Sequence, residues 1–96
     1  MAAVESRHNE DQSRYEGWVD GELAGFAAYQ RDDGRITFTH TEVGDAYEGH
    51  GVGSAIARFA LDDVRAQDGA HVVPQCRFIR DWIDRHPDYR SVLHGP

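Results

Sequence analysis

Tyr47-Glu48-Gly49-His50-Gly51-Val52-Gly53-Ser54 is the stretch on which the reading of this chain turns. Glycines alternate there with other residues, and an amphipathic helical pattern begins within it. A backbone without Cβ atoms turns tightly and lets its amides come close to an anion. The first N–H groups of a helix have no intrahelical partner and stand at the positive end of its dipole. The residues alone leave two readings open: a cradle for phosphate or pyrophosphate, and a plain strand-to-helix turn. The neighbouring segments weigh between them.

Downstream, the spacing predicts a helix over about Val52 to Gln67, with Val52, Ile56, Phe59, Ala60 and Val64 on one apolar stripe. Arg58, Asp62, Asp63 and Arg65 fall mainly on the solvated side. Asp68-Gly69 ends the helix, with Gly69 suited to the left-handed residue after its last turn. Ala70-His71-Val72-Val73-Pro74 reads as a short strand stopped by its proline. Arg77 to Arg85 reads as a second helix with Phe78, Ile79, Trp82 and Ile83 on its apolar face. It stops at His86-Pro87, because the residue before proline disfavours helix. Tyr89, Val92 and Leu93 are available to dock from the final segment.

Upstream, Arg35 to Val43 is a β-branched run that reads as a strand. A period of two puts Ile36, Phe38, His40 and Glu42 on one face and the threonines on the other. An apolar face that turns polar at its last two positions describes a strand running from core to site. Before it, Tyr15 to Val19 and Leu23 to Gln30 form a hairpin through Asp20-Gly21, a turn that needs positive φ. Arg31-Asp32-Asp33-Gly34 is a second turn of the same chemistry. Residues 1–13 hold few large apolar side chains and read as a flexible tail, which leaves 14–96 as one domain.

The expected fold class is therefore α/β (α+β): an antiparallel meander, then strand, helix, strand and helix. A strand–helix–strand unit makes strands three and four a parallel pair with a right-handed crossover. The glycine loop then lies at the C-terminal end of strand three, where open α/β sheets bind ligands.

The bulk properties bound the function. Ninety-six residues suffice for one modest core. A net charge of −7 argues against nucleic acid as a main partner and makes any second substrate a cation or a neutral molecule such as an amine. No apolar run approaches the roughly 20 residues that span a bilayer. Met1 to Arg14 lacks the apolar core of a secretory signal, so a cytoplasmic location is expected. Cys76 is the single cysteine, which excludes an internal disulfide and fits a reducing compartment. His40, His50, His71, Cys76 and His86 match no zinc-ligand spacing, so no metal is expected. His86 beside Pro87 is expected to cap a helix end.

Four pieces in this order resemble the core of the GNAT superfamily of N-acetyltransferases. They are Phe38-Thr39-His40-Thr41-Glu42-Val43, Gly49-His50-Gly51-Val52-Gly53, Val73-Pro74-Gln75-Cys76 and Arg85-His86-Pro87-Asp88-Tyr89. More closely, they resemble its small, stand-alone members of the N-acetyltransferase domain-containing type, over roughly Tyr15 to Tyr89. The resemblance implies a GNAT-like domain that binds acetyl-CoA, with the pyrophosphate on the loop amides. The residues implied at the cofactor are Val43, Gly49, His50, Gly51, Val52, Gly53, Ser54 and Cys76. The superfamily loop reads Gln/Arg-x-x-Gly-x-Gly, and here its first position is Glu48, an acid in place of a cation or amide.

Transfer of an acetyl group to an amine needs a polarised thioester, a base for the amine proton and a proton for the leaving thiolate. The resemblance implies a base on the strand before the loop, where His40 and Glu42 stand. An imidazole works as a base near neutral pH, whereas a carboxylate needs burial to do so. The alternative for each is structural: a hydrogen-bonded histidine and a turn-supporting glutamate. Cys76 opens the second helix, a position that favours thiolate. It reads as an acetyl-accepting nucleophile, as the proton donor to the CoA thiolate, or as a small packing residue. The expected function is an acetyl-CoA-dependent N-acetyltransferase with an unidentified amine acceptor. The alternative is a non-catalytic acyl-CoA-binding or sensing module.

Overall fold

The computed structural model describes residues 3–93. Five strands form one sheet in the order β1-β2-β3-β4-β5: β1 (Glu5–Asn9), β2 (Arg14–Val19), β3 (Glu22–Asp32), β4 (Arg35–Val43) and β5 (His71–Pro74). The first four pair antiparallel, and β4 pairs parallel with β5, as the βαβ reading requires. Helix α1 (Val52–Arg65) makes the crossover between them and α2 (Arg77–Arg85) follows β5. Short 3₁₀ turns at Asp45–Tyr47 and Pro87–Leu93 complete the chain.

The hairpin chemistry falls where the sequence put it. Asp20 (φ 50°) and Gly21 (φ 79°) both take the left-handed conformation between the paired residues Val19 and Glu22. Gly69 also has positive φ, at 79°, but it lies in the turn beyond α1. The helix stops at Arg65, two residues before the expected Gln67, and the residue after it, Ala66, stays in the right-handed region. Gly69 is therefore not the left-handed residue after the last turn. Both helices pack on one side of the sheet, and their buried residues share a core with Tyr15, Ile36 and Phe38. Phe59, expected on the buried stripe of α1, is instead 36% exposed at its rim, edge-on to Tyr15. Ala57 and Leu61, both fully buried, belong to the stripe, which is centred one position further round the helix.

Two expectations are corrected. The first is the tail over residues 1–13. Residues 1 and 2 lie outside the described residues, but Glu5–Asn9 is an edge strand registered against β2 from Trp18 to Arg14. Its inward residue is polar, so hydrophobic periodicity could not reveal it. His8 stacks on Tyr15 at 4.1 Å between ring centroids and shares a 2.7 Å hydrogen bond with the Tyr29 hydroxyl.

The second is the face pattern of β4. Tyr29 is registered with Phe38 and Ala28 with His40, so Thr39 is an extra, bulged residue. A bulge shifts every later side chain to the opposite face. Ile36 and Phe38 remain in the core, but His40 and Glu42 turn to the face that carries no helix among the described residues. Thr41 and Val43 take their places on the helix side and are half-buried.

The helix-free face has its own organisation. Glu16 is only 4% exposed there and accepts hydrogen bonds from Asn9 (3.0 Å), Arg14 (2.7 Å) and Trp18 (2.9 Å). Burial by itself raises its carboxyl, but these three donors outweigh burial and hold it below its ordinary value of 4.5. A lowered folded-state value contributes stability above the unfolded value, and that stability is lost as pH falls through the folded one. Glu16→Gln should therefore cost about 1–3 kcal/mol at pH 7. The gap from wild type should close as denaturation is repeated at pH values falling below 4.5.

Candidate functional site

The glycine stretch becomes the start of α1. Gly51 is the residue before the helix, at φ 76°, ψ 14°, and no side chain caps it. The first intrahelical bond runs from the Ala55 N–H to the Gly51 carbonyl at 3.0 Å. The amides of Val52, Gly53 and Ser54 therefore point outward from the helix start without intrahelical partners. Each glycine does a different job. Gly51 has open space around it and is needed for its positive φ, whereas a Cβ on Gly53 would lie 2.7 Å from the Phe78 ring. That ring belongs to α2, so Gly53 is the point at which the second helix leans onto the start of α1.

A second tie reinforces this contact. The Trp82 indole N–H donates to Ser54 Oγ at 2.9 Å. His86 stacks on Trp82 at 3.8 Å and donates from Nδ1 to the Trp82 carbonyl at 2.7 Å, the helix-end capping expected of it. Between the loop and α2 opens a cavity of about 430 Å³. Val43, Gly49, Gly51, Val52, Gly53 and Ser54 line it from the loop side. Across from them stand Phe78, Trp82, Arg85 and His86, with Tyr47 and Glu48 on the rim. Of the residues expected at the cofactor, His50 and Cys76 are not among the lining residues. The α2 wall was legible in the sequence only as an apolar helix face, since Trp82 and Phe78 also serve the core.

Beyond the loop, β4 and β5 part. Their pairing runs from Arg35–His71 to Phe38–Pro74. One more bond, from the Cys76 N–H to the Phe38 carbonyl at 2.8 Å, closes it. From Thr39 to Val43, β4 has β3 on one side and, among the described residues, no strand on the other. Such an edge presents backbone donors and acceptors to an extended, amide-bearing ligand.

The three side chains singled out for chemistry divide between the faces. His40 Nε2 and Glu42 Oε2 are 2.9 Å apart on the helix-free face, with 58% and 62% of their side chains exposed. The Phe26 ring meets His40 edge-on at 6.1 Å. Cys76 is buried on the helix side, where its Sγ lies 3.2 Å from Thr41 Oγ1. The bulge at Thr39 is what separates them, and the sequence carries no mark of it. Among the described residues no group of three His, Cys, Asp or Glu side chains gathers at a metal-sized site, and no helix is long and apolar enough to cross a membrane.

This arrangement, a glycine-led helix start beside a parting parallel strand pair, agrees with comparisons to known proteins. A family model described as GCN5-related N-acetyl-transferase matches residues 14–92. The chain belongs to this family of the GNAT superfamily. No curated protein matches it in sequence. Among solved structures, the crystal structure of nourseothricin acetyltransferase is similar with a TM-score of 0.53 and 20% identity. The match covers 92% of this chain and 67% of that one, and at this identity it speaks for the fold.

The two glycines should separate on substitution. Gly53→Ala should destabilise the fold by about 1–3 kcal/mol through overpacking against Phe78. Gly51→Ala should cost about 1 kcal/mol, the strain of positive φ alone. Urea denaturation of both variants checks the order.

Proposed function

We propose that this chain binds acetyl-CoA in the cavity between the glycine loop and α2 and transfers the acetyl group to an amine. The observation that carries the proposal is the uncapped start of α1, with its three outward amides opening into that cavity beside the free edge of β4. The fit is chemical as well as geometric. Amides at a helix start suit a pyrophosphate, and Arg85 and His86 are available to the same cavity. An acidic chain can hold an anion there because the field is local and made mostly of backbone dipoles. The pantetheine amides would pair with the edge of β4 from Val43 towards Thr39, which directs the thioester towards Cys76.

In this reading β4 divides the labour. Acetyl-CoA supplies an activated acyl group on the helix side. The amine comes from the helix-free side, where His40 takes its proton and Glu42, 2.9 Å away, orients the imidazole. Cys76 stands on the opposite side, where its thiol protonates the departing sulfur. Placing acid and base on opposite faces keeps them from neutralising one another directly.

One observation favours a binding module without turnover. Glu48 stands on the cavity rim where the superfamily loop carries a cation or amide, and its charge opposes an anionic cofactor. Calorimetric titration with acetyl-CoA and incubation with labelled acetyl-CoA and a panel of amines distinguish the readings. We expect binding, abolished by Gly51→Val, and turnover reduced about 10²–10⁴-fold by His40→Ala, the range of general-base catalysis. Binding with no turnover on any amine supports the module, and no heat at millimolar acetyl-CoA contradicts both.

A further inference from the structure

The bulge in β4 creates one contact that the mechanism above does not use. Thr41 Oγ1 lies 3.2 Å from Cys76 Sγ, with the threonine half-buried and the cysteine buried. The backbone under the sulfur is pinned on both sides. The Cys76 N–H donates to the Phe38 carbonyl at 2.8 Å, and the Cys76 carbonyl accepts from the Arg80 N–H at 3.1 Å. Cys76 occupies the residue before α2, yet its side chain makes no capping hydrogen bond. The thiol is thus turned away from the helix start it precedes and towards the Thr41 hydroxyl on the neighbouring strand.

A hydroxyl and a thiol each donate or accept, so this pair adapts to either state of the sulfur. A protonated thiol donates to Oγ1. A thiolate accepts from the threonine O–H. Neither His40 nor Glu42 is placed to do this, because the bulge turns both to the other face.

We infer that Thr41 is a positioning residue for the Cys76 thiol, holding the sulfur on the cofactor side of β4 and donating to it when its proton has left. This rests on the reading of Cys76 as a group at the acyl site. In the transfer step the acceptor nitrogen forms its bond to the acetyl carbon as the carbon–sulfur bond breaks. The departing CoA sulfur takes the proton from Cys76 Sγ, and the Thr41 hydroxyl donates to the thiolate left behind. The proton released by the acceptor nitrogen, through His40 and solvent, restores the thiol. Atoms and charge balance without a further reactant.

The test uses the whole chain, in which Cys76 is the one cysteine, and follows alkylation by iodoacetamide at neutral pH. Thr41→Val should slow alkylation about tenfold, the scale of one hydrogen bond to a charged group. Thr41→Ser should restore the rate to within about twofold, as expected if the hydroxyl alone carries that hydrogen bond. A packing role predicts the opposite sign, since loosening the site exposes a buried thiol and speeds its reaction. An unchanged or faster rate in Thr41→Val overturns the inference, as does a Thr41→Ser variant as slow as the valine. Thr41→Ala carries the same criterion if the valine variant does not fold. Titration of the wild type with acetyl-CoA reports separately on the cofactor: its failure removes the proposed function and leaves the thiol comparison standing.

Discussion

Between Phe38 and His40, β4 carries one residue more than β3 can pair with, and most of the functional geometry depends on how that residue is absorbed. Before the bulge the strand serves the core: Ile36 and Phe38 are almost completely buried beneath the helices. After it, the same sequence alternation is read on opposite faces. Thr41 and Val43 reach the helix side, while His40 and Glu42 reach the open one. The bulge lies beside the last residue that pairs with β5, so strand separation and face reversal occur together. A chain that lost the bulge would put His40 and Glu42 under the helices, where desolvating a carboxylate and an imidazole is costly.

The helix start is held by the rest of the small core. Gly53 admits the Phe78 ring, Ser54 accepts from the Trp82 indole, and Trp82 stacks with His86. The Arg58 guanidinium lies over both the Trp82 and Tyr89 rings, and the Tyr89 hydroxyl donates to Asp62 on α1. The C-terminal segment thereby clamps α1 and α2 together next to the cavity. These contacts preorganise the amides at the α1 start, so that little further ordering is needed for any group that would bind there.

Much of this was legible from residues because the signals are local. Asp20-Gly21 demands positive φ, Pro87 ends a helix, and the spacing from Val52 to Val64 points one stripe inward. The glycine loop could be read as a turn into a helix start from the same logic. What escaped was non-local or polar. β1 faces inward through His8, whose place is secured by Tyr29 and Tyr15 rather than by apolar burial. The bulge depends on the β3 register, which no residue of β4 announces. Phe59 looked like a core residue by spacing, but the smaller Ala57 and Leu61 are the ones turned to the sheet. The α2 wall of the cavity is built by residues whose apolar character already had an explanation in the core.

The central claim is that the amides at the α1 start and the free edge of β4 form one continuous binding surface for acetyl-CoA. Amide chemical shifts of isotopically labelled protein, followed during titration with acetyl-CoA, test it residue by residue. The account predicts saturable shifts at Val52, Gly53 and Ser54 together with Thr39 to Val43, and none at Arg14, Glu16 or Trp18 on β2. Absence of shifts at the α1 start, or shifts confined to the helix-free face, would contradict it.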